Sequence, residues 1–229
     1  QRDLAGKRAD RRKKLDAMPL FGERTDEAAK FRDKRAQEGK EFRESIDRIQ
    51  QYQETQGQVR GVPTGFVDID SMTGGLKNGE MIIIAARPSI GKTSFAMNIA
   101  EHAGAHCGIQ TCVFSLEMTK ESIVDRLLCS SARVNGAAVQ RGSISVGDLR
   151  QLTAASARIG KSSIHIDDTS TKLGQIRARA RQLFSRGCRL FVVDYLQLVV
   201  PNRLSGSREQ DVSGISSGLK GLAKELNCP

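Results

Sequence analysis

Three groups of residues in this sequence have the types and spacing needed for phosphate chemistry. The first is Ala86-Arg87-Pro88-Ser89-Ile90-Gly91-Lys92-Thr93. It fits the P-loop pattern GxxxxGK[ST] except at its first position, where Ala86 stands in place of glycine, and it lies between an apolar run and a helix-like stretch. In a loop so placed, backbone N–H groups and the positive end of the following helix cradle phosphates. Lys92 is expected to reach the β/γ oxygens, and the Thr93 hydroxyl to ligate Mg²⁺. ATP and Mg²⁺ are therefore the expected ligands, held by Ser89, Ile90, Gly91, Lys92, Thr93 and Ser94. Gly91 is read as the place where a Cβ would obstruct the approach to phosphate. The second group is Leu190-Phe191-Val192-Val193-Asp194, four apolar residues that deliver a carboxylate to a strand end, where Asp194 would hold Mg²⁺ through its water shell. The third is Glu117, which directly follows the run Thr111–Ser115. From the residues alone it is either a general base for a water molecule or a helix-start carboxylate favoured by the dipole of a helix capped by Thr119.

These groups need a frame. Met81-Ile82-Ile83-Ile84-Ala85 is expected as the strand before the P-loop, with a helix from about Thr93 after it. Thr111–Ser115 reads as a strand leading to a helix that carries Ile123, Val124, Leu127 and Leu128. Leu149, Leu152 and Ile159 indicate a further helix before a short strand at Ile164-His165-Ile166. Leu173, Ile176, Ala180 and Leu183 mark a helix ahead of the strand Leu190–Val193, and Val212, Ile215, Leu219, Leu222 and Leu226 mark the last. Strands apolar on both faces that alternate with helices imply an α/β fold: a mainly parallel sheet with helices on both faces, binding ligand at the strands' carboxyl ends.

Residues 1–56 form a basic, charge-dense, apolar-poor segment preceding the α/β part, residues 57–229. It opens with Lys7, Arg8, Arg11, Arg12, Lys13 and Lys14, which read as a solvated arm or as a nucleic-acid contact. Within it, Phe42, Ile46, Ile49 and Tyr52 make one apolar helical stripe, a linker helix over about 42–53 that needs a surface to dock on. The 229 residues carry a formal net charge of +10, which favours a polyanionic partner, nucleic acid before an anionic membrane surface. Five cysteines without a CxxC pair suit a reducing compartment. No apolar run approaches the ~20 residues needed to span a bilayer, so a cytoplasmic protein is expected.

Gly61-Val62-Pro63-Thr64-Gly65-Phe66, Met72-Thr73-Gly74-Gly75-Leu76, the P-loop including its Ala86, Phe114-Ser115-Leu116-Glu117-Met118, Ile166-Asp167-Asp168-Thr169 and Asp194-Tyr195-Leu196-Gln197-Leu198 resemble, in order and spacing, the successive signatures of DnaB-type replicative DNA helicases. The resemblance covers about Ser45 to Pro229. It implies a RecA-like P-loop NTPase core, a homo-hexameric ring with ATP bound between subunits, and 5′-to-3′ unwinding of DNA driven by ATP hydrolysis near the nucleoid. It also implies that Lys92, Thr93, Glu117 and Asp194 are the phosphate, magnesium, base and Walker B residues. Arg126 matches a family arginine near the nucleotide, with a solvated helix arginine as the other reading. The apolar stripe matches the linker helix that docks on the adjacent motor domain.

The loop Pro201-Asn202-Arg203-Leu204-Ser205-Gly206-Ser207-Arg208 matches the family's channel-lining loop, one residue shorter, and Arg203 and Arg208 carry over as contacts to single-stranded DNA. A mobile surface connection is the alternative. With 4% aromatic residues, backbone contact without sequence preference is expected. Two departures bear on partners: family chains begin with a helical domain, which leaves a primase or loader contact without its usual platform, and Ser217 stands where the family often has arginine. Family members also continue past the position of Pro229 into a γ-phosphate-sensing glutamine, a further DNA loop and an arginine finger, so an incomplete inter-subunit site is expected of this polypeptide. The competing readings are a RecA- or clock-like ATPase whose ATP binding drives assembly, and a nucleotide-binding fragment without turnover.

Overall fold

The computed structural model describes residues 29–30, 33–35, 37, 40, 42–43, 45–47, 49–50, 59–87, 89–201 and 206–229. The early basic run, Tyr52, Pro88 and Arg203 lie outside them. Two compact units divide between Gly57 and Gln58. In the first, the described residues between 29 and 50 are helical, with Phe42, Ile46 and Ile49 each more than half exposed.

In the second unit the order is α1 (Val67–Thr73), α2 (Lys92–Glu101), a π-helical turn (His102–His106), β1 (Thr111–Ser115), α3 (Lys120–Ala132), α4 (Gly136–Gln140), α5 (Val146–Gly160), β2 (Ile164–Asp167), α6 (Leu173–Ser185), β3 (Leu190–Asp194), a 3-10 turn (Leu196–Leu198) and α7 (Arg208–Leu226). The sheet runs β2-β1-β3 and both pairings are parallel, with Val113 opposite Ile166 on one side and Val192 on the other. β1 is buried along its whole length, as a central strand covered on both faces must be.

Two apolar clusters provide that cover. Phe114, Ile176, Leu183, Ile215 and Leu222 join β1 to α6 and α7 on one face, while Met97, Val113, Ile123 and Leu127 join it to α2 and α3 on the other. Side chains alternate across a strand, so consecutive residues Val113 and Phe114 serve opposite clusters. Local signals set the helix starts: Thr119 accepts the Ser122 N–H, and Ser145 and Asp148 form a reciprocal capping box that opens α5. No helix among the described residues is long and apolar enough to cross a membrane.

One expected strand is missing. Met81–Ala85 has no regular secondary structure and does not join the sheet, and Ile82, Ile83 and Ile84 are 46%, 69% and 37% exposed. An apolar run forms a strand only where a neighbouring edge satisfies its N–H and C=O groups. Here β3 ends the sheet on that side, and an apolar groove separates it from residues 81–86.

Candidate nucleotide site

Parallel strands bring their carboxyl ends to one edge, and the three candidate groups converge there. Ser115, the last residue of β1, lies opposite Asp194, the last of β3, and the Leu116 N–H continues the ladder by donating to the Asp194 carbonyl at 2.8 Å. Across the first turn of α2, the Thr93 hydroxyl donates to Asp194 Oδ2 at 2.7 Å, and Lys92 Nζ lies 3.8 Å from Asp194 Oδ1. Asp194 is 4% exposed, so its charge is screened weakly and these two partners compensate it.

Two of the described residues just ahead of α2 have backbone conformations rare outside glycine. Gly91 caps the helix at φ 104°, and Ser89 is at φ 65°. Gly91 has a backbone conformation that L-residues rarely adopt, which is by itself a reason for glycine at this position. Ser89, Ile90, Gly91 and Ser94 are exposed and Lys92 and Thr93 half-buried, so this stretch opens to solvent at the positive end of α2.

Glu117 is set by its neighbours. The Ser115 hydroxyl donates to the Met118 carbonyl at 2.7 Å and accepts the Met118 N–H at 3.3 Å, which folds residues 115–118 into a tight turn. Beyond it, the Asp168 carboxylate at the end of β2 accepts the Lys120 N–H at 2.9 Å. Glu117 is thus held at the same sheet edge as Asp194, with its side chain exposed.

Arg126 is exposed on α3, and Arg208 is exposed as the first residue of α7. Neither is brought against Lys92 or Asp194 by a described contact. On the neighbouring helix, Arg181 and Arg177 engage Glu225 of α7 at 2.6 and 3.5 Å. These ion pairs, on the exposed surface, tie α6 to α7.

Sequence reasoning missed two residues. Tyr195, quoted above only as part of a signature, places its ring 4.1 Å beneath Lys92 Nζ in a cation–π contact that the sequence pattern did not assign to it. Asp167 accepts bonds from the Thr169 and Ser170 hydroxyls and N–H groups, with Arg179 at 3.8 Å. Burial pushes its carboxyl up, but the bonds from Ser170 and Thr169 outweigh that and hold it below the usual carboxylate range. The turn this builds fixes the end of β2, from which Asp168 reaches α3.

Chemically, the Thr93 hydroxyl and the Asp194 carboxylate are two hard oxygens 2.7 Å apart. Magnesium takes hard oxygen donors, directly or through the waters it keeps, so the chemistry of the pair fits that ion. The described residues contain no cluster of three His, Cys, Asp or Glu side chains that would form an all-protein cage. Magnesium does not need one when phosphates complete its shell.

Residues 61–229 match the family described as the DnaB-like helicase C terminal domain. Over 189 residues the chain is 39% identical to the replicative DNA helicase DnaB of Geobacillus stearothermophilus, covering 81% of this chain and 42% of that protein. It is 42% identical over 175 residues to the DnaB of Buchnera aphidicola subsp. Schizaphis graminum, covering 75% of this chain and 38% of that protein. The chain thus spans about two fifths of the length of these curated relatives. Among solved structures, one described as an ATPase domain superposes with a TM-score of 0.75 at 32% identity, covering 81% of this chain and 67% of that one. A DnaB-like replicative helicase, described with its interactions with primase, superposes at 0.74 and 32% identity, covering 81% of this chain and 46% of that one.

Proposed function

Because the chain belongs to the DnaB-like helicase C-terminal domain family, we propose that residues 57–229 are the ATP-driven motor of a replicative DNA helicase and that residues 1–56 carry its linker helix. The observation that carries this reading is the meeting of Lys92 and Thr93 with Asp194 at one sheet edge, although Thr93 and Asp194 stand 101 positions apart.

In this assignment the N–H groups of residues 89–94 and the α2 dipole bind the phosphates of ATP, and the Lys92 ammonium pairs with the β/γ oxygens. Thr93 and Asp194 hold Mg²⁺, which when bound neutralises charge developing on the phosphoryl oxygens. Glu117 takes the proton of the attacking water. Arg126 is assigned to the nucleotide phosphates of the same site. Arg203 and Arg208 contact the backbone of single-stranded DNA, a role supported by the exposure of Arg208 at the positive end of α7. A homo-hexamer with ATP sites between subunits, 5′-to-3′ movement, a primase or loader partner and a place at the cytoplasmic nucleoid complete the proposal.

Calorimetry with Mg-ATP tests it at its base. Lys92→Ala removes the ammonium facing the phosphates, and a lost charge-assisted bond predicts an affinity at least about tenfold weaker. Affinity equal to that of the unaltered chain would remove the P-loop from the assignment, and the motor reading with it.

A further inference from the structure

Lys92 stands between two groups of the same strand end. Asp194 Oδ1 lies 3.8 Å from its Nζ, and the centre of the Tyr195 ring lies 4.1 Å from it. Neither contact takes up an N–H group. A separation of 3.8 Å is beyond hydrogen-bond length, and a ring face attracts an ammonium through its quadrupole rather than through a lone pair. The ammonium is held by charge while its donors stay available. The ring is itself fixed by backbone bonds on both sides. The Asp194 carbonyl before it accepts the Leu116 N–H at 2.8 Å, and the Tyr195 carbonyl accepts the Leu198 N–H at 3.1 Å. One bond ties Tyr195 to the sheet and the other to the 3-10 turn Leu196–Leu198.

We infer that Tyr195 is a positioning residue of the nucleotide site, whose ring face holds the Lys92 ammonium at the strand edge with its N–H donors free for the β/γ oxygens of ATP. This inference rests on the P-loop reading proposed above. A lysine ammonium rides on a flexible stem, and ordering that stem when the ligand arrives weakens binding. The ring orders it beforehand. Asp194 alone does not serve this purpose, because in the proposed assignment its charge is shared with Mg²⁺, which offsets its pull on Lys92. The neutral ring keeps its own attraction throughout. The contact is made by the ring face, which phenylalanine shares and an aliphatic side chain lacks.

The test is calorimetry of Mg-ATP with the 229-residue chain altered at position 195. Tyr195→Leu keeps apolar bulk and removes the quadrupole, and it is expected to bind Mg-ATP about three- to fivefold more weakly, the worth of one cation–π contact. Tyr195→Phe returns the ring face and should bring affinity back to within about twofold of the natural chain. Fluorinating that phenylalanine ring stepwise keeps its shape but drains negative charge from its face. Affinity should fall with each fluorine, a trend that a merely structural role would not produce. In a Lys92→Ala background, Tyr195→Leu should cause no further loss. Without nucleotide, the Lys92 ε-methylene protons should carry an upfield ring-current shift in NMR spectra that Tyr195→Phe retains and Tyr195→Leu abolishes. Unchanged or tighter binding by Tyr195→Leu, an affinity indifferent to fluorination, or strict additivity with Lys92→Ala would overturn the inference and leave the P-loop reading in place. Failure of that reading looks different: Lys92→Ala would bind Mg-ATP as the natural chain does, and the inference would fall with it.

Discussion

Glu117 and Asp194 occupy neighbouring strand ends but meet opposite surroundings, and their chemistry divides accordingly. Asp194 is buried and compensated by Thr93 and Lys92, which suits a carboxylate that holds a cation. Glu117 is exposed, and among the described residues no hydrogen bond fixes its carboxylate, which suits a group that must accept a proton from water. Replacing it by glutamine should leave Mg-ATP affinity within about twofold while turnover in a hydrolysis-competent assembly falls more than about tenfold. A smaller fall, measured as phosphate release, would place the base elsewhere. Away from the site, burial pushes the Cys188 thiol from 9.0 up to about 11. A thiol raised in the folded state contributes stability that is fully present below about pH 9 and is lost as pH rises toward about 11. Urea midpoints should therefore fall over that window in the natural chain and fall less steeply in Cys188→Ala. Parallel slopes in the two proteins would show that the Cys188 proton is not linked to folding.

At the scale of elements, what the sequence made legible was whatever carried its own pattern. The apolar run at 190–193 and the helical spacing from Val212 to Leu226 indicated β3 and α7, and both form where expected. The P-loop motif brought Lys92 to Asp194 because a motif encodes a whole local geometry. The run at 81–85 failed as a strand because apolarity does not supply a hydrogen-bonding partner, and that partner is a property of the sheet. The short helix Gly136–Gln140 was overlooked although its cap was readable, since the Asn135 side chain accepts the N–H groups of Ala137 and Ala138. The π-helical turn after α2 has no period to detect, yet it brings Gly104 against β2, where an added Cβ would clash with Ile164 Cγ1. Gly104→Ala should thus overpack the contact and cost about 1–3 kcal/mol. Thermal unfolding of Gly104→Ala with and without Ile164→Ala, which removes Cγ1, tests this: the loss caused by Gly104→Ala should be smaller in the Ile164→Ala background, and strict additivity would mean that the two side chains do not meet.

For the whole molecule, the net charge of +10 is a statement about salt as much as about partners. Each phosphate neutralised on a single strand contributes about 0.7 to the slope of log affinity against log salt, so Arg203→Ala combined with Arg208→Ala should lower that slope by about 1.4. Fluorescence anisotropy with a labelled thymidine oligomer over a salt series would show it, and an unchanged slope would take both arginines off the DNA path. The bond between Thr93 and Asp194 also has a meaning in time. It closes a span of 101 residues, and the chain leaving β2 must cross β1 for β3 to settle on its far side. At synthesis rates of about 5–20 residues per second, the P-loop leaves the ribosome roughly 5–20 seconds before the carboxylate it needs. In the proposed assignment, Lys92 and Thr93 stand without Asp194 during that interval, and a nascent chain lacks half of its magnesium site. Nucleotide capture would then be a late event in the life of each chain, open only once β3 has docked.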